Sequence, residues 1–182
     1  MKLAPLFFTS LPLVHAASLP SPSPPPPRVV QYDGPYYELP ESEKEKLATY
    51  HLTNKSYTRP ADMPLIYVEE GTILEMGAAN SSLSKRGGWR RITAHSRYNC
   101  VDRIVSVDNF GCGTGCVVMN RWAWSGRVQQ EYHGNPYPTM DVFNSGDCTG
   151  SYQHMGVVNT DSCTNDACCG FLSFIGWWDC RH

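Results

Sequence analysis

Glu131 and His133 stand two residues apart, so on a β-strand both side chains face the same way. Together with His154 and an arginine such as Arg127 they form an acid–base set suited to a small secreted ribonuclease, since imidazole and carboxylate exchange protons near neutral pH. Nothing in the sequence fixes the geometry of that set, and polar residues beside a turn account for it more simply. No Gly-x-Ser-x-Gly elbow, phosphate loop or His-Glu-x-x-His pair accompanies it. The chain is therefore read as non-enzymatic, with no catalytic residue, no metal and no cofactor.

The other reactive side chains are thiols: Cys100, Cys112, Cys116, Cys148, Cys163, Cys168, Cys169 and Cys180. Cys112 and Cys116 are close enough in sequence for a zinc site. An exported chain favours disulfides instead, and an even count of 8 cysteines implies four bridges. Sequence alone leaves the pairing open. On an extended backbone the side chains of Cys168 and Cys169 diverge, so these two are expected to reach different partners. Cys180 is expected to anchor the C-terminus. Trp122, Trp124, Trp177 and Trp178 are the candidate binding residues, because an exposed indole stacks on a sugar or anchors a protein partner.

These groups need a scaffold, and composition divides the chain after Arg86. The first 86 residues hold 12 of the 14 prolines, all 5 lysines and no cysteine, whereas the last 96 hold every cysteine and tryptophan. Residues 1–16 read as a secretory signal: Lys2, an apolar stretch, then Val14-His15-Ala16 with cleavage after Ala16. Residues 17–86 read as a proline-rich, largely extended prosegment. Within it, residues 40–50 suit a short helix, with acidic residues leading and lysines following, and residues 65–68 suit a strand. Asn54 and Asn80 open N-glycosylation sequons. Lys85-Arg86, followed by Gly87-Gly88, suits a processing protease of the kexin type. Arg90-Arg91, close by, reads as strand surface.

From residue 87 the apolar period is two. Strands are expected over residues 101–107, 116–124, 128–132, 139–143, 152–158 and 171–178. Turn signals punctuate them, among them Asp108-Asn109-Phe110-Gly111, Ser125-Gly126 and Asn144-Ser145-Gly146-Asp147. Short strands at regular spacing give an all-β fold, a small disulfide-stapled sandwich or barrel over residues 87–182. The chain's net charge of −2 argues against nucleic acid as a partner, and no apolar run is long enough for stable membrane insertion.

Signal, prosegment, Leu83-x-Lys85-Arg86 junction and an eight-cysteine domain together resemble the fungal small secreted cysteine-rich proteins, many of them effectors or toxins. The resemblance implies an extracellular virulence factor that binds a host protein or cell-surface glycan, promotes host cell death, and is matured by a kexin-type protease. Two other classes fit the same layout. One is an antimicrobial or killer-type protein, disfavoured in its cationic form because the segment after Arg86 carries 7 arginines against 8 acidic residues. The other is a glycan-binding module or small secreted ribonuclease.

Overall fold

The computed structural model describes residues 26–34, 37–49, 56–76, 90–130, 138–155 and 162–178. Before the cysteine-bearing stretch come β1 (Arg28–Gln31), α1 (Glu41–Thr49), β2 (Leu65–Val68) and β3 (Thr72–Glu75). From Arg90 onward follow β4 (Arg90–His95), a 3-10 turn (Tyr98–Cys100), β5 (Arg103–Asp108), β6 (Gly113–Ala123), β7 (Ser125–Gln130), β8 (Thr139–Phe143), β9 (Tyr152–Met155), β10 (Ser162–Asn165) and β11 (Phe171–Trp177). The molecule is mostly β, in two mixed sheets ordered β1-β3-β5-β4-β7-β10 and β2-β6-β11-β8-β9. The sheets share one apolar core, in which Ile66, Leu74, Ile92, Val105, Val117, Val128, Met140 and Phe174 meet. Burying a side chain of this size contributes roughly 1.5–3 kcal/mol.

A second cluster joins Leu39, Leu47, Tyr57 and Met63 to Phe143, Tyr152, Ile175 and the buried Cys116–Cys148 bridge. Both clusters therefore mix residues from before and after the composition break. The expected helix and the strand at residues 65–68 are present. Over residues 28–76 the segment is three extended strands and the helix, packed into both sheets. Proline density is confined to residues 20–27, whereas Leu65-Ile66-Tyr67-Val68 and Thr72-Ile73-Leu74-Glu75 carry alternating apolar side chains that sheets accept. Where the segment crosses β6, Gly115 has φ +73°, and a Cβ there would lie 2.9 Å from Pro64 Cγ. Ala16, Asn54, Asn80, Lys85 and Arg86 lie outside the described residues.

Three downstream details differ from the expectation. Ser125 and Gly126 begin β7 rather than forming a turn, because the chain crosses from the second sheet to the first at Trp124 alone. β5 is buried on both faces beyond Arg103, since Ser106 and Asp108 face a polar network and not solvent. In that network Ser106 Oγ donates to Asp108 Oδ1 at 2.5 Å and Arg91 Nε to the same oxygen at 2.8 Å. β10, Ser-Cys-Thr-Asn, has no apolar alternation and was not anticipated; it pairs with β7 and carries a cysteine.

Disulfides are present. Cys100 pairs with Cys163 and Cys116 with Cys148. Cys112 is also bonded, and Cys180 lies outside the described residues. Residues 166–170 bend: the amides of Cys168, Cys169 and Gly170 all donate to Asp166 Oδ2, at 3.1, 2.8 and 2.8 Å.

Candidate functional site: an aromatic groove on a strained loop

Between β4 and β5 the chain makes a short loop that takes an uncommon backbone. Asn99, Cys100 and Asp102 have φ of 60°, 56° and 55°, a left-handed region that non-glycine residues seldom occupy. Each such residue costs roughly 1–3 kcal/mol, so the conformation persists only where its surroundings hold it. Here they do. Ser96 N donates to Asp102 O at 2.9 Å and closes the loop. Buried Ser125 accepts from Cys100 N at 3.0 Å and donates to Arg97 O at 2.6 Å. Asn99 and Asn165 exchange two hydrogen bonds, Asn99 N to Asn165 Oδ1 at 2.7 Å and Asn165 Nδ2 to Asn99 Oδ1 at 3.1 Å. The Cys100–Cys163 bridge adds a covalent tie to β10.

The loop presents an open groove of about 540 Å³ lined by Ser96, Arg97, Tyr98, Val101 and Trp124. That volume lies in the range of small-ligand clefts. Tyr98 and Val101 are each 46% exposed, and Tyr98 meets Trp124 edge-on with ring centroids 5.8 Å apart. Trp124 is fixed from both sides: its amide donates to His95 O at 2.8 Å, and its carbonyl accepts from Asp166 N at 2.9 Å. Beneath it runs the Asp166 turn. Gly170 has φ +78° there, and a Cβ would lie 3.4 Å from Trp124 Cε2 and 3.3 Å from Trp122 Cε3, so glycine lets the backbone pass under both indoles. Arg97 pairs with Asp102 at 2.9 Å in solvent, a contact of little energy that orients the guanidinium at the rim.

The four tryptophans separate in role. Trp124 lines the groove and Trp122 is exposed on β6. Trp178 is buried, with its ring under the Arg90 guanidinium (3.5 Å to the centroid) and its Nε1 donating to Gly111 O at 2.5 Å. Arg90 is thus not strand surface. Burial pulls its pKa down to about 10. Half-buried Trp177 donates from Nε1 to Asp141 Oδ2 at 2.6 Å. Trp177 and Trp178 serve packing.

The acid–base set is not assembled among the described residues, since Glu131 and His133 lie outside them. His154 is bonded through Nδ1 to the fully buried Asp141 at 2.7 Å. Burial lowers the His154 pKa, but the Asp141 hydrogen bond and charge outweigh it and the net shift is upward. Both oxygens of Asp141 are engaged, by His154 and Trp177, which makes this a closed structural network. Among the described residues no three His, Cys, Asp or Glu side chains converge to hold a metal.

His95, at the foot of the groove loop, is buried. Burial, then the charges of Arg127 and Arg103, lower its pKa to about 4 against a partial opposing effect of Asp102. Its Nε2 meets Thr93 Oγ1 at 2.8 Å.

Sequence reasoning found Trp124 but missed Tyr98 and Val101. The available signal was Asn99 and Asp102 flanking a cysteine, since asparagine and aspartate enter the left-handed region more readily than most residues. Compared with family models, curated proteins and solved structures, the chain matches none.

Proposed function

We propose that this is a secreted, non-enzymatic, effector- or toxin-like protein that acts outside the producing cell by binding a host protein through the Tyr98–Trp124 groove. In this reading a signal peptide is removed after Ala16 and a kexin-type protease cuts after Arg86. One observation carries it: three left-handed residues in four positions are held by a disulfide and four hydrogen bonds, and what they present is Tyr98 and Val101 beside Trp124. Backbone strain concentrates at functional sites, and Tyr, Trp and Arg are the residues enriched at binding hot spots. The resemblance to fungal small secreted cysteine-rich proteins supports an extracellular role, as do the disulfides.

A second reading is a glycan-binding module, favoured by the apolar aromatic lining of the groove. Infiltration of the secreted protein into plant tissue, beside Y98A and W124A variants of matched thermal stability, tests the first reading. It predicts cell death from the parent and at least a tenfold higher dose requirement for either variant. Equal potency of all three would remove the groove from the account. Binding of the parent to arrayed glycans, lost in W124A, would favour the second reading.

A further inference from the structure

We infer that the segment before the processing junction is not discarded on maturation: residues 26–76 remain in the working protein as a second, non-covalent chain. The inference rests on the reading that the precursor is cut after Arg86, and extends it to what the cut leaves behind.

All eight cysteines lie at or beyond Cys100, so no disulfide can tether the upstream segment. Its attachment is nonetheless extensive. β3 lies parallel to β5 over four residue pairs, and β2 lies parallel to β6 over four more, from Leu65↔Cys116 to Val68↔Met119. Additional main-chain bonds extend both seams: Gly71 N to Ile104 O at 2.7 Å, Met76 N to Asp108 O at 3.0 Å and Cys116 N to Pro64 O at 2.9 Å. Tyr57 and Gly150 exchange a reciprocal pair at 2.9 and 2.7 Å. Tyr152 shares its one hydroxyl proton between the carbonyls of Lys46 and Leu47, each at 3.1 Å, near the end of α1. Arg59 Nε reaches Asp147 O at 3.1 Å, and Arg121 pairs with Glu70.

The apolar side is equally committed. Leu39, Leu47, Met63, Leu74 and Met76 are each at most 2% exposed, and they are buried against downstream residues in both clusters. Removing the segment would uncover these contacts. It would also turn β5 and the eleven-residue β6 into bare edges of their sheets. Long unpaired edges recruit other chains and aggregate. A cut in the connection leaves all of these contacts in place, and the segment stays because departure has the larger cost.

The test uses the full chain secreted from a host with kexin activity. Denaturing, non-reducing mass spectrometry reports whether the chain is cut; native mass spectrometry and gel filtration report what stays together. The expected result is two polypeptides under denaturing conditions without reductant, and a single native species at one-to-one stoichiometry. A native species consisting of residues 87–182 alone, monomeric and soluble, would overturn the inference. An uncut product would instead refute the processing reading. A variant carrying a specific protease site inserted after Arg86 is then nicked in vitro, and loss of the upstream peptide on gel filtration refutes retention while co-elution supports it. L47D in the same nicked protein is expected to release the upstream chain, whereas V29D, at an exposed position, is expected to keep it.

Discussion

Before residue 77 the chain joins the fold mainly by parallel pairing and apolar packing, with a few polar contacts and no cysteine; after residue 89 the strands pair antiparallel among themselves and the chain carries every cysteine. Backbone strain divides the same way. Among the described upstream residues only Gly71 has a positive φ, while Asn99, Cys100, Asp102, Asn109 and Cys148 all do so downstream without being glycine. Two of those five are themselves bridged cysteines, Cys100 and Cys148. The Cys100–Cys163 and Cys116–Cys148 bridges thus each have one end at a left-handed residue, whereas the described upstream region is held by burial, β-pairing and hydrogen bonds.

That contrast is sharpened first by core truncation. If upstream residues are full members of the core, L47A and I175A should destabilise alike, each by about 2–5 kcal/mol in chemical denaturation. A dispensable leader predicts no change for L47A. Next is the C116S/C148S double variant, whose bridge spans 32 residues. Loop-closure entropy gives a loss of about 3–4 kcal/mol, read as a lower midpoint in urea.

A pH effect of similar or smaller size separates two histidines. His95 has a folded pKa near 4, below its ordinary 6.5, so the unfolded chain takes up the proton first as pH falls. Its neutral burial costs nothing above pH 6.5, and stability declines between pH 6.5 and about 4 by up to about 3 kcal/mol. H95Q should flatten that part of the thermal-stability profile. His154, with its folded pKa raised, has the opposite sign: its ion pair with Asp141 stabilises fully below pH 6.5 and is lost as pH rises through the folded value.

Much of the β content was legible because the period-two pattern is local. β2 and β8 begin and end where the sequence pattern places them, and α1 follows its charge gradient. Pairing partners were not legible. A parallel seam such as β2·β6 leaves no mark in either strand, so a proline-rich, cysteine-free segment read as separate from the domain it completes. β10 was hidden because polar Ser-Cys-Thr-Asn lies on a sheet edge. Arg90 was misplaced because a cation stacked on a buried indole looks, in sequence, like any surface arginine. The groove was half visible: Trp124 by type, but its partner Tyr98 only through a left-handed loop that no periodicity encodes.

Amide hydrogen exchange on the intact, oxidised protein tests most directly whether the upstream strands belong to the cooperative fold. The amides of β2 and β3 should be protected to within about tenfold of those in β6 and β5, their parallel neighbours. Exchange of Leu65–Val68 and Thr72–Glu75 at the rate of an unstructured peptide, while β6 and β11 stay protected, would contradict the account.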